Sequence, residues 1–175
     1  VSTKLLYGFS LVAVIAAVIG YIGIVNIQTI EKSDTEMYEN MTVPIAQMSD
    51  ISTYFQRVRV NTREVVIANT SEEINDYTGR IQEYRDSIDA IGERFEARIL
   101  SDEMKAAFQD FREARVEYGK GLDVLLSLAK ENRDEEAMAH IKGDFSVAAR
   151  NEMNAIAKIV DMKEADASAK SDANT

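Results

Sequence analysis

Residues 5–27, LLYGFSLVAVIAAVIGYIGIVNI, run for twenty-three positions without one charged side chain. At about 1.5 Å of rise per residue they make a helix roughly 34 Å long, enough to cross a hydrocarbon core of about 30 Å with slight tilt. A core helix of a soluble domain keeps a polar face, and this run has almost none. Lys4 precedes it, and Glu31, Lys32 and Asp34 follow it. Tyr7 and Tyr21 stand near its ends, where amphipathic rings favour the membrane interface. A secretory signal has a shorter apolar region leading to a small-residue cleavage site. Here the chain instead passes, without Gly or Pro before Pro44, into a second helical pattern. Residues 1–28 therefore read as a retained membrane anchor, and residues 29–175 as one external domain.

That domain is acidic: the chain has 30 Asp and Glu against 20 Lys and Arg, a net charge of −10. Such a surface repels phosphate backbones, so nucleic acid is not an expected partner. One proline, no tryptophan and abundant Ala, Glu, Lys, Leu and Met are the composition of a helical bundle. The absence of cysteine leaves the compartment open. The chain begins with Val and stops in a polar helical phase, so it reads as a piece of a longer protein, cut before a second membrane helix.

Four amphipathic helices follow the anchor. In residues 28–68 the stripe is Met48, Ile51, Phe55, Val58, Thr62 and Val65, at three- and four-residue steps. Pro44 should kink this helix or start a fresh turn, and Asn69 ends it. Thr70 and Glu73 have the spacing of a capping box. The second helix carries Ile74, Tyr77, Ile81, Tyr84, Ile88, Ile91 and Phe95, alternating four and three as in a coiled-coil seam. Ser101 or Asp102 caps the third, whose stripe is Met104, Phe108, Phe111, Arg115, Tyr118, Leu122, Leu125 and Leu128 or Ala129. Gly119 and Gly121 lie inside it, where each costs about 1 kcal/mol relative to Ala unless a neighbouring helix needs the space. The fourth helix starts near Asp134, runs unbroken, and carries Met138, Ile141, Phe145, Ala148, Met153, Ile156 and Ile159 or Val160. Short turns between long helices make antiparallel neighbours. The expected fold is all-α: an up-down-up-down four-helix bundle preceded by one transmembrane helix.

Chemistry concentrates on the first helix of the bundle. With Phe55 at zero and about 100° per residue, Arg59 falls near 40° and Arg63 near 80°, beside the core stripe. Thr53, Val60 and Ile67 gather at roughly 120–160°, a second apolar stripe that a monomer does not need and a homodimer does. Arg57, near 200°, points elsewhere. Two guanidiniums one turn apart offer a carboxylate matched charge and geometry. The alternative is a solvated face paired with carboxylates such as Glu64, which contributes little. Tyr77, Tyr84 and Tyr118 read as core residues with polar tips. His140 is the single histidine, and the nearest glutamate, Glu136, is four residues away. A bundle metal site uses Glu-x-x-His on two helices, so neither metal nor haem nor any other cofactor is expected. No nucleophile-base-acid pattern appears, since such sites nearly always recruit His, Cys or a Gly-rich turn, so an enzyme is not expected either.

Beyond these local readings, LDVLLSLAKENRDEEAMAHIKGDF and NEMNAIAKIVDMKEADA resemble the third turn and fourth helix of the sensor domains of methyl-accepting chemotaxis receptors. STKLLYGFSLVAVIAAVIG resembles their first membrane helix, and MTVPIAQMSDI their first sensor helix. The resemblance implies a periplasmic or extracellular ligand-sensing domain anchored in a bacterial inner membrane through residues 5–27, dimeric, and signalling through its fourth helix. Its aspartate- and serine-sensing members place arginines on the first helix near the dimer interface, a pattern to which Arg59 and Arg63 are similar. Where a further arginine would complete it, this chain has Tyr54. The implied ligand, a small carboxylate, would then meet Arg59, Arg63, Tyr54, Ser146 and Arg150. The same kind of bundle also fronts histidine kinases and nucleotide cyclases, or senses a partner protein.

Overall fold

In the computed structural model, which describes residues 2–173, the chain is helical throughout except for short turns. It divides into two compact units, Val1–Asn40 and Met41–Thr175. The first unit is built on helix α1 (Ser2–Met37). Its most apolar stretch has a mean hydropathy of 2.4 and no buried residue, long and apolar enough to cross a membrane. Leu6, Phe9, Val12, Ile19 and Ile22 all stand exposed, as side chains do whose partner is lipid.

A five-residue π-helical turn, Tyr38–Thr42, precedes α2 (Val43–Ile67). Pro44 explains it. Proline supplies no N–H and its ring crowds the carbonyl four residues back, so the turn before it widens from regular α-helix. The expected interruption is therefore a π turn with Pro44 in the first turn of α2.

The second unit contains α2, α3 (Ser71–Glu96), α4 (Asp102–Lys130), α5 (Asp134–Lys142) and α6 (Asp144–Ala173). The Thr70 hydroxyl accepts from the Glu73 amide at 3.2 Å, and the Glu73 carboxylate accepts from the Thr70 amide at 3.2 Å, so the capping box forms. Ser101 caps α4 by accepting from the Met104 amide. At the other end of α4, Asn132 adopts φ 55. The Arg133 amide reaches Leu128 O and the Asn132 amide Ala129 O, the paired bonds of a Schellman turn.

The four expected helices become five segments because the last one breaks at Gly143, whose φ and ψ are −92 and −133. Its amide closes α5 on Ala139 O and His140 O, and its carbonyl receives the amide and hydroxyl of Ser146 to start α6. The break resets the phase. Phe145, Ala149, Ile156 and Ile159 are buried, with Glu152 among them, while Ala148 and Met153 lie half-buried at the edges.

Packing pairs α2 with α3 and α4 with α6, making two antiparallel hairpins, and the hairpins meet along two thinner seams, α2–α6 and α3–α4. Phe55 of α2 meets Tyr118 of α4 edge-on at 5.0 Å between the hairpins. The α3–α4 seam joins a buried stack of Phe95 on Phe108 at 5.4 Å to a row of polar pairs on its outer side: Arg112 to Glu96 at 2.8 Å, Arg115 to Asp89 at 2.7 Å, and Arg85 to Asp123 at 3.9 Å. Gly119 leaves room there, since a Cβ on it would stand 3.2 Å from the Arg85 guanidinium. The α2–α6 seam opens into the cleft described next.

Candidate functional site

A cleft of about 340 Å³ lies where α2 faces the α5–α6 break. It is lined by Arg59, Thr62 and Arg63 from α2, Tyr118 from α4, Ile141 from α5, and Phe145, Ser146, Ala149 and Arg150 from α6. Each element has a local reason to present its residues here. Arg59 and Arg63 are one turn apart on the flank of the α2 stripe, so burying Phe55 and Thr62 points both into the seam. The break at Gly143 places the first turn of α6 opposite them. Phe145 turns inward because Gly121 leaves a notch: a Cβ on Gly121 would come within 2.5 Å of the Phe145 ring.

Phe145 is the hub of the aromatic floor. Tyr118 stacks with it at 4.7 Å and His140 at 5.3 Å. His140 is fixed by a 2.9 Å hydrogen bond between Nε2 and Gly121 O, which makes it a brace for the ring.

The charged groups differ in commitment. Arg59 is half-buried and donates to Gln56 Oε1 at 3.0 Å, while Gln56 Nε2 lies 3.3 Å from the Met153 sulfur of α6. Arg63 and Arg150 are exposed. No ion pair joins Arg59, Arg63 or Arg150 to a carboxylate among the described residues, and no Asp or Glu lines the cleft. Ser146 donates to Gly143 O at 2.8 Å, which leaves its oxygen free to accept. Tyr118 is 3 % exposed, and burial pushes its pKa up to about 12.

Of the five candidate contact residues, the fold brings Arg59, Arg63, Ser146 and Arg150 to one cleft. Tyr54 is elsewhere: it packs on Tyr84 of α3 at 5.9 Å, with the Arg57 guanidinium over both rings at 5.7 and 5.6 Å. The wheel accounts for this, since Tyr54 lies about 140° from Arg59 around α2. Tyr118 and Thr62 belong to the cleft but read from sequence as core. Each carries a polar atom on an apolar stripe, and for Thr62 that stripe is flanked by the arginines of the same helix.

A second polar group is wholly internal. Glu152 of α6 is 0 % exposed, and its Oε1 lies 3.4 Å from Arg115 Nη1. Arg115 also donates from Nε to Asp89 at 2.7 Å and from Nη2 to Arg85 O at 2.9 Å. One guanidinium thus ties α3, α4 and α6 together. Glu152 Oε2 has no partner, and burial raises the pKa of this carboxyl to about 7 against the opposing pull of Arg115. A count of apolar residues misses it. The four-three rhythm from Phe145 through Ala149 to Ile156 does place position 152 inside, where it meets half-buried Arg115 of α4.

No curated protein matches the sequence. A family model described as a four-helix-bundle sensory module for signal transduction matches residues 1–175. Such modules are sensory parts of membrane receptors and not a catalytic family, which agrees with one helix able to span a membrane and a bundle beyond it. The chain belongs to the family of four-helix-bundle sensory modules for signal transduction.

Proposed function

We propose that this chain is the ligand-sensing part of a bacterial chemoreceptor of the methyl-accepting type, and that it binds a small carboxylate in the cleft between α2 and α6. The observation that carries this reading is the convergence of Arg59, Arg63 and Arg150 on one cleft without a lining carboxylate, in a chain of net charge −10. Guanidiniums left unpaired in an acidic protein form a local cationic site for an anion. Lys4 before the apolar run and the acidic unit after it favour an inner-membrane receptor with α2–α6 outside.

Signalling requires a ligand that prefers one arrangement of the helices over another. Gln56 offers such a difference, because it accepts from Arg59 and reaches Met153 of α6. A carboxylate that draws Arg59 off Gln56 loosens that tie between α2 and α6 while bridging the same helices through Arg63 and Arg150. The displacement then travels along α6. The receptor acts as a homodimer through Thr53, Val60 and Ile67, all exposed on α2. Val60→Cys is expected to cross-link to its mate in membranes under mild oxidation, and the buried Val58→Cys is not; the reverse pattern would remove this stripe as the interface.

The site is tested by calorimetric titration of the full chain in detergent with succinate and acetate. Arg59→Ala and Arg63→Ala are each expected to weaken binding tenfold or more, about 1.4 kcal/mol, with an unchanged melting temperature. Arg57→Ala, whose side chain lies over Tyr54 and Tyr84, is the control and should stay within twofold. Binding that needs Arg57 and ignores Arg59 and Arg63 would place the site elsewhere.

A further inference from the structure

At the inner end of the cleft stands a group that the surrounding protein leaves unused. The Tyr118 hydroxyl is buried and has no hydrogen-bond partner. Two polar neighbours act on it, the Thr62 hydroxyl, which lowers the phenol's pKa and gives its own proton to Val58 O at 2.7 Å, and the buried Glu152 carboxyl, which raises it, and neither makes a hydrogen bond of acceptable geometry with the Tyr118 hydroxyl. The ring cannot swing away, because Phe145 stacks on it at 4.7 Å and Phe55 meets its edge at 5.0 Å. Burial holds the phenol protonated at neutral pH, so it is a fixed O–H donor. A buried donor without an acceptor is destabilising. Its neighbours at that end, Thr62 and Arg59, both line the cleft.

The inventory of the cleft is one-sided. Its charged donors are the Arg59, Arg63 and Arg150 guanidiniums, its buried neutral donor is Tyr118, and it contains no carboxylate. A ligand ammonium would meet several cations and no carboxylate in the lining, the nearby Glu152 being buried and tied to Arg115. A single carboxylate at the mouth would leave the Tyr118 hydroxyl as orphaned as before. The volume, about 340 Å³, suits a compact molecule.

We infer that the cleft is built for a small polyanion without an ammonium group, of the dicarboxylate or hydroxy-dicarboxylate class, with one carboxylate on Arg63 and Arg150 and a second acceptor on the Tyr118 hydroxyl beside Arg59. Tyr118 is then a specificity-determining residue contributed by α4, a helix outside the seam that carries the arginines. Arg59, whose present partner is Gln56, then turns to the inner carboxylate. This inference rests on the anion-sensing reading above and adds the class of anion and the donor that selects it.

The experiment titrates the full chain in detergent with succinate, malate, aspartate and acetate, before and after Tyr118→Phe. Succinate or malate should bind at least tenfold more tightly than aspartate, which differs from succinate by its ammonium. Tyr118→Phe should weaken succinate tenfold or more, change acetate less than twofold, and leave the melting temperature equal or higher, since it deletes an unpartnered buried hydroxyl. Aspartate binding as tightly as succinate overturns the ligand class whatever the variant does. Arg63-dependent succinate binding that ignores Tyr118→Phe overturns the role of the phenol, with the anion-sensing reading intact. A fall in melting temperature at unchanged affinity shows a structurally bonded hydroxyl and also overturns it. Absence of binding by all four acids removes both readings together.

Discussion

Arg115→Ala is expected to lower the unfolding free energy of the bundle by about 3–5 kcal/mol, the range for breaking a buried pair by removing one partner. The residue left behind, Glu152, is 0 % exposed and, once Arg115 no longer opposes the effect of burial, must be held protonated and without its partner. The loss also unties three helices, because Arg115 holds Asp89 and the Arg85 carbonyl on α3 as well. Urea unfolding of the chain in detergent measures it. Replacing both partners, as Arg115→Met with Glu152→Leu, should recover most of the loss, since neither charge then needs solvation. Recovery would separate the cost of the orphaned carboxyl from that of the lost ties to α3.

The same pair sets a pH dependence with a definite sign. Glu152 has a folded pKa raised to about 7, by burial first, with Asp89 adding to the rise and Arg115 and Arg85 opposing it. The folded state therefore takes up a proton more readily than the unfolded chain. Stability from the neutral carboxyl is fully present below the unfolded value of 4.5 and is lost as pH rises through about 7. Glu152→Gln should flatten this slope, whereas Arg115→Ala should extend it to higher pH by removing the largest opposing pull on the carboxyl. A Glu152→Gln protein with an unaltered slope between pH 5 and 8 would assign the titration to another group.

Phe145→Ala is the second large expectation, a loss of about 3–5 kcal/mol. The ring is 5 % exposed and fills the notch at Gly121 against Tyr118 and His140. Its removal leaves a cavity under the anion cleft that two stacked neighbours cannot both fill. Gly121→Ala tests the fit from the other side. Its new Cβ would stand 2.5 Å from Phe145 Cδ2 and 3.2 Å from Cε2, and the stacked ring has little freedom to yield. Overpacking of this kind costs about 1–3 kcal/mol, against a helix-propensity gain near 1 kcal/mol. With Phe145→Leu in the background the clash is relieved, so the double variant should be more stable than the sum of the singles by at least about 0.5 kcal/mol in thermal melts. Strict additivity would mean that the notch does not seat the ring.

These elements differ in how plainly the sequence announces them. The anchor needs only a count of uncharged residues. The stripes of α2, α3 and α4 follow from three- and four-residue spacing, and Thr70, Glu73 and Ser101 mark helix starts by side-chain chemistry that acts within one turn. Arg59 and Arg63 were legible because both sit on one helix, where angular position follows from residue number alone. Glu152 was not, because a buried acid looks like a surface acid until its partner, 37 residues away in sequence, is seen beside it. The Gly143 break hid for a related reason: glycine inside a helical run is tolerated often enough that only the inward turn of Phe145 shows why the chain leaves the helix there. Tyr118 looked like core and is core; what sequence could not show is that its hydroxyl lacks a partner.

The α3–α4 seam gives the bundle an uneven stiffness. Its clasp of ion pairs engages exposed carboxylates, with Asp123 74 % and Asp89 61 % exposed, and pairs of that kind contribute about 0–1 kcal/mol each and weaken as salt rises. The two hairpins thus resemble a clothes-peg: a spring of aromatic contacts in the middle, jaws at the α2–α6 cleft, and handles held partly by ion pairs that the surrounding electrolyte can slacken, beside the Phe95–Phe108 stack. In the proposed sensing role, a ligand that draws α2 and α6 together would strain the α3–α4 tie, so ionic strength should alter the response as well as the affinity.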